Sequence, residues 1–285
     1  MNTTARTVNT TVRVWSRLRA AILWVVLIAL VVLVVYPLVW MVLNGFKTNE
    51  QVFGSPFALP TQWGWSAYVD AWQQGVKNYL TVSVLLTILA TAATELLSAW
   101  AAFGLTKTRL PRSGAFTGLM IAGLMLAPSV AIIPLVTMFQ RMGLYNTFLG
   151  LLILYTAFRI PFTVFLIRGY MLDLPHEVDE AAAIDGTSRW GTFWRITLPM
   201  CTPIMITTTV LNILLNWNEY LFATVFTSGS GIETLPVGLA DLMSRIGTHY
   251  PTVFAGMVIG AVPMVVLFFA CQRYFVRGIG DGVGK

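Results

Sequence analysis

Glu95, Arg159, Asn212, Asn216 and Glu219 stand inside otherwise apolar stretches of the chain. An ionisable residue at the centre of a membrane helix costs roughly 2.5 to 3.5 kcal/mol on insertion scales, so such groups face protein or a cavity rather than lipid. Their polar neighbours recur at helical period. Ser83, Thr87, Thr91, Thr94, Glu95 and Ser98 form one stripe. Tyr155, Arg159 and Thr163 fall at i, i+4 and i+8, while Thr208, Asn212, Asn216 and Glu219 fall at i, i+4, i+8 and i+11. Three helices thus present a polar seam to a common interior. Glu95 and Arg159 lie at similar depth, about 12 to 14 Å of helix rise from the cytoplasmic ends of their spans. They are expected to pair as a structural salt bridge, with direct substrate contact as the other use open to them.

The elements that carry these residues follow from composition. Of 285 residues, 56% are hydrophobic and 11% charged, against roughly 25% charged in soluble domains, and the mean hydropathy is +0.74. The apolar residues gather in blocks of spanning length near 18–43, 77–103, 113–139, 147–168, 200–226 and 252–275. These predict an all-α, polytopic membrane protein with six transmembrane helices in a single domain, 1–285. The first block follows Arg6, Arg13, Arg17 and Arg19 but is about twice the length of a signal-peptide core, so it is expected to be a retained anchor.

An even number of spans puts both termini on one side. Arg6, Arg13, Arg17, Arg19, Lys107, Arg109, Arg112, Arg168, Arg189, Arg195, Arg273, Arg277 and Lys285 fall on that side, and only Lys47, Lys77, Arg141 and Arg245 on the other. The bias predicts cytoplasmic termini. It also accounts for the net charge of +6 without nucleic acid, since the basic residues sit at the ends of apolar blocks rather than on one face. The outer segment 44–76 carries Trp63, Trp65, Tyr68 and Trp72, which suit a membrane interface; ligand binding is the alternative.

On the inner face, 169–199 is longer than a connection needs and is punctuated as two short helices. Asp173, Pro175 and the acids Glu177, Asp179 and Glu180 mark a helix start, and Gly186 supplies a left-handed stop. Ser188 caps a second helix on which Trp190, Phe193, Trp194 and Thr197 recur at i, i+3, i+4 and i+7. Ala181, Ala182 and Ala183 leave a helix face without bulk, open to close approach by a partner.

Glu180, Ala181, Ala182, Asp185, Gly186, Ile196, Leu198 and Pro199 stand at the positions of the EAA signature, and the segment resembles that of ABC-importer permeases. The resemblance covers most of the chain and is nearest the carbohydrate-uptake branch, the maltose-type inner-membrane permease. Supporting it are WNEYLFA from Trp217 to Ala223, TLPVGL from Thr234 to Leu239 and the tail RGIGDGVGK. It implies the six-span type I importer fold, with 169–199 as the coupling segment that docks on an ATPase subunit. It further implies a second homologous permease, two ATPase subunits holding ATP and magnesium, an extracytoplasmic solute-binding protein and a bacterial-type plasma membrane. In that setting Asn212, Asn216, Trp217, Glu219 and Tyr220 are candidates for a sugar pathway, with interhelical bonding as the alternative for the amides.

The chain carries no GxxxxGK[ST] loop, so ATP is expected in a partner and no cofactor in this chain. His176 and His249 are expected on opposite membrane faces and cannot share a metal or complete a catalytic triad. An intramembrane enzyme would have only Glu95, Arg159 and Glu219 to use. A proton-coupled secondary transporter relaying through Glu95 or Glu219 is the other engine, and a non-sugar solute the other cargo. Against the proton-coupled engine, no paired broken helices are legible. Pro128 and Pro134 mark a kink or a pore-side irregularity in the third span.

Overall fold

The computed structural model describes residues 4–108, 111–247 and 249–283, the side chains of 4–14, 16, 18, 176, 179, 183, 246 and 273–283 excepted. Arg109 and Lys285, and the side chains of Arg6, Arg13, His176, Asp179, Ala183, Arg273 and Arg277, lie outside the described residues. Every regular element among those described is helical. Four helices are long and apolar enough to cross a membrane, and six crossings result if each of two bent pairs is one span. The chain divides into two compact units, Met1–Ala71 with Ile246–Val258 and Trp72–Arg245 with Ile259–Lys285.

In the first unit α1 (Thr4–Asn44) includes the apolar span Arg19–Asn44. Its outer end is tied to the loop that follows. The Trp40 indole N–H donates to the Pro56 carbonyl at 2.9 Å, and the Lys47 ammonium, 5% exposed, donates to the Ser55 and Pro56 carbonyls at 3.2 and 2.8 Å. The Thr48 hydroxyl caps α2 (Asn49–Gly54), and α3 (Ser66–Ala71) closes the segment. Phe46 sits among Trp63, Trp65 and Tyr68 at ring separations of 5.3, 4.9 and 4.9 Å, so these aromatics pack on one another as well as reaching outward. The start of α14 (Tyr250–Val283) joins the same unit, with Phe254 edge-on to Trp40 and the Tyr250 N–H donating to Asn49 Oδ1 at 3.2 Å.

The second unit is built around α4 (Lys77–Lys107), entered through a wider turn, Trp72–Val76, in which Gly75 takes φ +122°. It packs against α7 (Phe148–Leu172) and α11 (Thr202–Trp217). The third span, expected over 113–139 with a kink or irregularity at its prolines, takes the irregular form. It is two helices, α5 (Ser113–Met125) and α6 (Pro128–Arg141), at 102° to one another. Pro128 holds the preceding Ala127 in extended backbone, φ −67° and ψ 128°, so the helix must stop and restart there. The fifth span, expected over 200–226, is also interrupted. α11 ends at Trp217 because the Asn218 side-chain amide donates to the Leu214 carbonyl at 2.8 Å, and α12 (Leu221–Thr227) begins three residues on. Before α11 come α8 (His176–Ile184), α9 (Arg189–Thr192) and α10 (Leu198–Met200), with the run from Arg189 to Met200 bent 74° from α11. α13 (Leu235–Ile246) returns to the start of α4, where the Ser83 hydroxyl accepts from the Leu235 N–H at 2.7 Å and Arg245 reaches Tyr79 Oη at 2.6 Å.

The interior of this unit is layered. At one end Leu86, Ala90, Phe139, Leu151, Leu154, Tyr155, Phe222, Ala223 and Phe226 form one apolar cluster. At the opposite end Ala99, Ala102, Ile167, Met171, Phe193 and Cys201 form another. Between them on α4, α7 and α11 lie Thr91, Glu95, Thr163, Thr208, Asn212 and Asn216, all buried.

Close backbone approach is tested by glycine. A Cβ at Gly150 would stand 2.0 Å from the Leu144 carbonyl oxygen, where the chain reverses through Asn146 at φ +57°, whereas one at Gly169 on the same helix meets nothing within 4 Å. Gly150→Ala is therefore expected to lower stability by about 1–3 kcal/mol as overpacking against fixed backbone. Gly169→Ala should be neutral or raise stability by up to about 1 kcal/mol. Thermal unfolding of the two variants in one detergent checks the contrast.

Candidate functional site

The seam expected from spacing is present, but its bonding differs from the expected pair. The Glu95 carboxylate accepts from Thr208 Oγ1 at 2.8 Å and from Asn212 Nδ2 at 2.9 Å. Asn212 Nδ2 also donates to Thr163 Oγ1 at 3.0 Å. Arg159 donates from Nε to Asn216 Oδ1 at 3.2 Å and from Nη2 to the Leu215 carbonyl at 3.0 Å, and Asn216 Nδ2 donates to Thr91 Oγ1 at 3.2 Å. Glu95 and Arg159 thus bond not to each other but one turn apart along α11. Each is met by neutral amide or hydroxyl partners, and the salt bridge expected from their similar depth is corrected accordingly.

The same geometry reassigns the amides. Asn212 and Asn216 are 0% and 3% exposed, and both hold α11 to α4 and α7. Both make interhelical hydrogen bonds, and neither is among the residues lining the cavity that Arg159 borders. Trp217 is also buried, at 7% exposure, while Tyr220 at 47% is open. Glu219 has a different post. Its two carboxylate oxygens accept from the Phe222 and Ala223 N–H groups at 2.9 and 3.1 Å, closing the exposed start of α12. Arg159, bonded to the Leu215 carbonyl, lies at the other side of the interruption, the negative end of α11. Tyr155 Oη donates to the Glu219 carbonyl at 3.5 Å and so ties the interruption to α7.

Both helix interruptions open onto one cavity of about 430 Å³. Leu126 and Pro128 line it from the α5–α6 break, Glu219 and Phe222 from the α11–α12 break, and Tyr155, Phe158, Arg159 and Phe162 from α7 between them. Irregular backbone at membrane depth is tolerated where it lines such a space. The breaks themselves were hard to read from the sequence, because hydropathy averaged over a span does not register a two- or three-residue stop. Only the proline at 128 and the Asn218–Glu219 pair inside an apolar run pointed to them.

The inner segment matches its punctuation. α8 ends in a Schellman arrangement, the Thr187 N–H donating to the Ala182 carbonyl at 3.0 Å with Gly186 at φ +69°. Ser188 Oγ accepts from the Gly191 N–H at 3.2 Å and caps α9. Phe193 and Thr197 are buried and Trp190 and Trp194 exposed, so the expected stripe is divided between core and surface. Glu180, Ala181, Asp185 and Gly186 are exposed, whereas Ala182 is packed inward. Ile184, which spacing did not single out, projects at 86% exposure beside them, an apolar knob on an acidic helix. Ile196 and Leu198 are half-buried, Leu198 against the inner cluster, and Pro199 is exposed.

Residues 95–281 match the family model described as "Binding-protein-dependent transport system inner membrane component". The chain is 41% identical over 262 residues to the probable ABC transporter permease protein YurM of Bacillus subtilis, covering 92% of this chain and 87% of that one. It is 33% identical to the diacetylchitobiose uptake system permease protein NgcG of Streptomyces coelicolor over 92% and 88% of the two chains. It is 28% identical to the trehalose/maltose transport system permease protein MalG of Thermococcus litoralis over 90% and 94%. Its fold is that of a chain in the crystal structure of a bacterial ABC transporter involved in alginate import, with TM-score 0.80, 21% identity and coverage of 92% and 97%.

The bonding of Glu95 sets a test. Glu95→Ala removes the carboxylate that joins α4 to Thr208 and Asn212, which keep only the Ile204 and Met205 carbonyls and Thr163 Oγ1 respectively, and is expected to cost about 1–3 kcal/mol. Glu95→Gln keeps an acceptor at the same place and should cost markedly less. Thermal unfolding of the detergent-solubilised variants measures the difference; equal losses would show that the seam's hydrogen bonds do not hold α11 in place.

Proposed function

The chain belongs to the binding-protein-dependent transport system inner membrane component family, and from this membership we propose that it is the permease subunit of an ATP-driven ABC importer for a sugar or sugar-like solute. The chain is a multi-pass inner-membrane protein. What carries the reading is its likeness, along nearly the whole length of each, to permeases of carbohydrate uptake systems. Its partners are a second homologous permease, two ATPase subunits that bind ATP and magnesium, and an extracytoplasmic solute-binding protein. The chain itself is non-catalytic, with both termini in the cytoplasm.

In this reading α8 is the coupling element. Glu180, Ala181, Asp185 and Gly186, together with Ile184, present an acidic, low-bulk face with one apolar projection to a groove on the ATPase. Ile196, Leu198 and Pro199 carry its displacement into α11. Closure of the ATPase pair on ATP reorients the spans and exposes the cavity alternately to the two sides. The cavity serves the solute pathway: Phe158 offers an aromatic face to a sugar ring, and Arg159 and Glu219 offer polar groups to its hydroxyls.

Purification of the tagged chain from mild detergent is expected to recover a second permease and an ATPase that hydrolyses ATP. A chain recovered alone, without ATPase activity or a partner crosslinked through 180–186, would overturn the assignment. Gly186→Asp puts a side chain at φ +69° with open space around it, adding about 1 kcal/mol of local strain and a bulky charge on the docking face. Uptake of labelled sugar should fall severalfold at unchanged membrane abundance. Normal uptake by that variant would remove α8 from the coupling role.

A further inference from the structure

The coupling segment is split by charge in a way that docking on an ATPase does not use. Asp173, Glu177, Asp179, Glu180 and Asp185 all precede Gly186, and from Ser188 to Met200 the charged residues are Arg189 and Arg195 alone. That second half carries exposed tryptophans. Trp190 and Trp194, 64% and 45% exposed, stand edge-on to Trp100 of α4 at 6.0 and 6.3 Å, and Trp100 is itself 37% exposed. Phe193 anchors the group from below, packed against Phe103 at 5.2 Å and Trp194 at 5.0 Å.

Between α4 and α9 these rings enclose a pocket of about 250 Å³, lined by Trp100, Phe103, Gly104, Trp190 and Phe193 with Arg189 and Thr108 at its rim. An apolar slot ringed by tryptophans and edged by a guanidinium has the chemistry of the membrane interface. Indole rings settle at headgroup depth, and arginines attract an anionic leaflet while their stems lie along the apolar layer. Acidic and basic halves of one segment therefore face different partners.

We propose that this pocket binds an anionic phospholipid, its phosphate against Arg189 and the start of its acyl chain between Trp100 and Trp190, with Arg195 farther along the same run adding positive charge outside the pocket lining. The lipid braces the run from Arg189 to Met200 against the end of α4. This goes beyond the transport assignment and holds whichever solute is carried.

The test places the purified full-length chain, with its co-purifying subunits, in phosphatidylcholine nanodiscs containing a photoactivatable phosphatidylglycerol, and maps the labelled peptides. Labelling is expected on peptides spanning 100–108 and 189–197, with about fivefold loss for each arginine removed in R189Q and R195Q. A photoactivatable phosphatidylcholine should label these peptides weakly and alike in every variant, and excess inorganic phosphate should not compete. Trp190→Phe, which keeps a ring, should retain labelling where Trp190→Ala loses it. Equal labelling by the two lipids, unchanged labelling in R189Q/R195Q, displacement by free phosphate, or crosslinking of the pocket to a protein subunit would each overturn the proposal.

Discussion

The amide of Asn212 holds the second unit together. From α11 it reaches Glu95 on α4 and Thr163 on α7 with one nitrogen. In lipid no hydrophobic force favours helix on helix, because the tails are as apolar as leucine, so association rests on packing and on polar groups that have nowhere else to bond. The layering follows. Leu86, Leu151 and Phe222 on one side and Ala102, Ile167 and Phe193 on the other seal the seam, and the seam in turn fixes how the apolar faces meet. A carboxylate satisfied by hydroxyl and amide donors avoids the demanding geometry of a buried ion pair, which leaves Arg159 available elsewhere.

That second post is the interruption of the fifth span. A helix that stops within a membrane exposes carbonyls at its end and N–H groups at the next start. Arg159 takes a carbonyl of the first and Glu219 two N–H groups of the second. The charged residues that looked like a pair and a relay are therefore terminators of broken helices. The same terminators, Arg159 and Glu219, edge the cavity between the two breaks.

Much of this was legible from residue order, and the remainder was lost for definable reasons. Helical period identified the three polar stripes, and the Gly186 and Ser188 signals gave the end of α8 and the start of α9. Period gives the face of a helix but not its rotation or offset against a neighbour. Glu95 and Arg159 at similar depth could therefore be read as partners when their bonds go one turn apart along α11. The breaks at Ala127 and Asn218 were hidden because a hydropathy window spans them. Ile184 went unremarked since one apolar residue on an acidic helix has no period. The division of Phe193 from Trp190 and Trp194 needed the position of Trp100 on another helix.

The two observations together constrain how motion can travel. α4, α7 and α11 are cross-linked at mid-depth by Glu95, Thr163, Asn212 and Asn216, so they respond to a push as one body rather than by sliding. The run from α9 through the turn 193–197 and α10 to Cys201 joins that body where Phe193, Leu198 and Cys201 pack on Ala99, Ala102 and Met171. Points without a continuous helical ladder include the bend at Cys201 and, bordering the cavity through Leu126 and Glu219, Leu126–Ala127 and Asn218–Tyr220. Rigid-body movement with hinges at element ends is a common way to open and close a site. Here the rigidity comes from the seam, and the breaks at the proline and the asparagine place irregular backbone on the cavity.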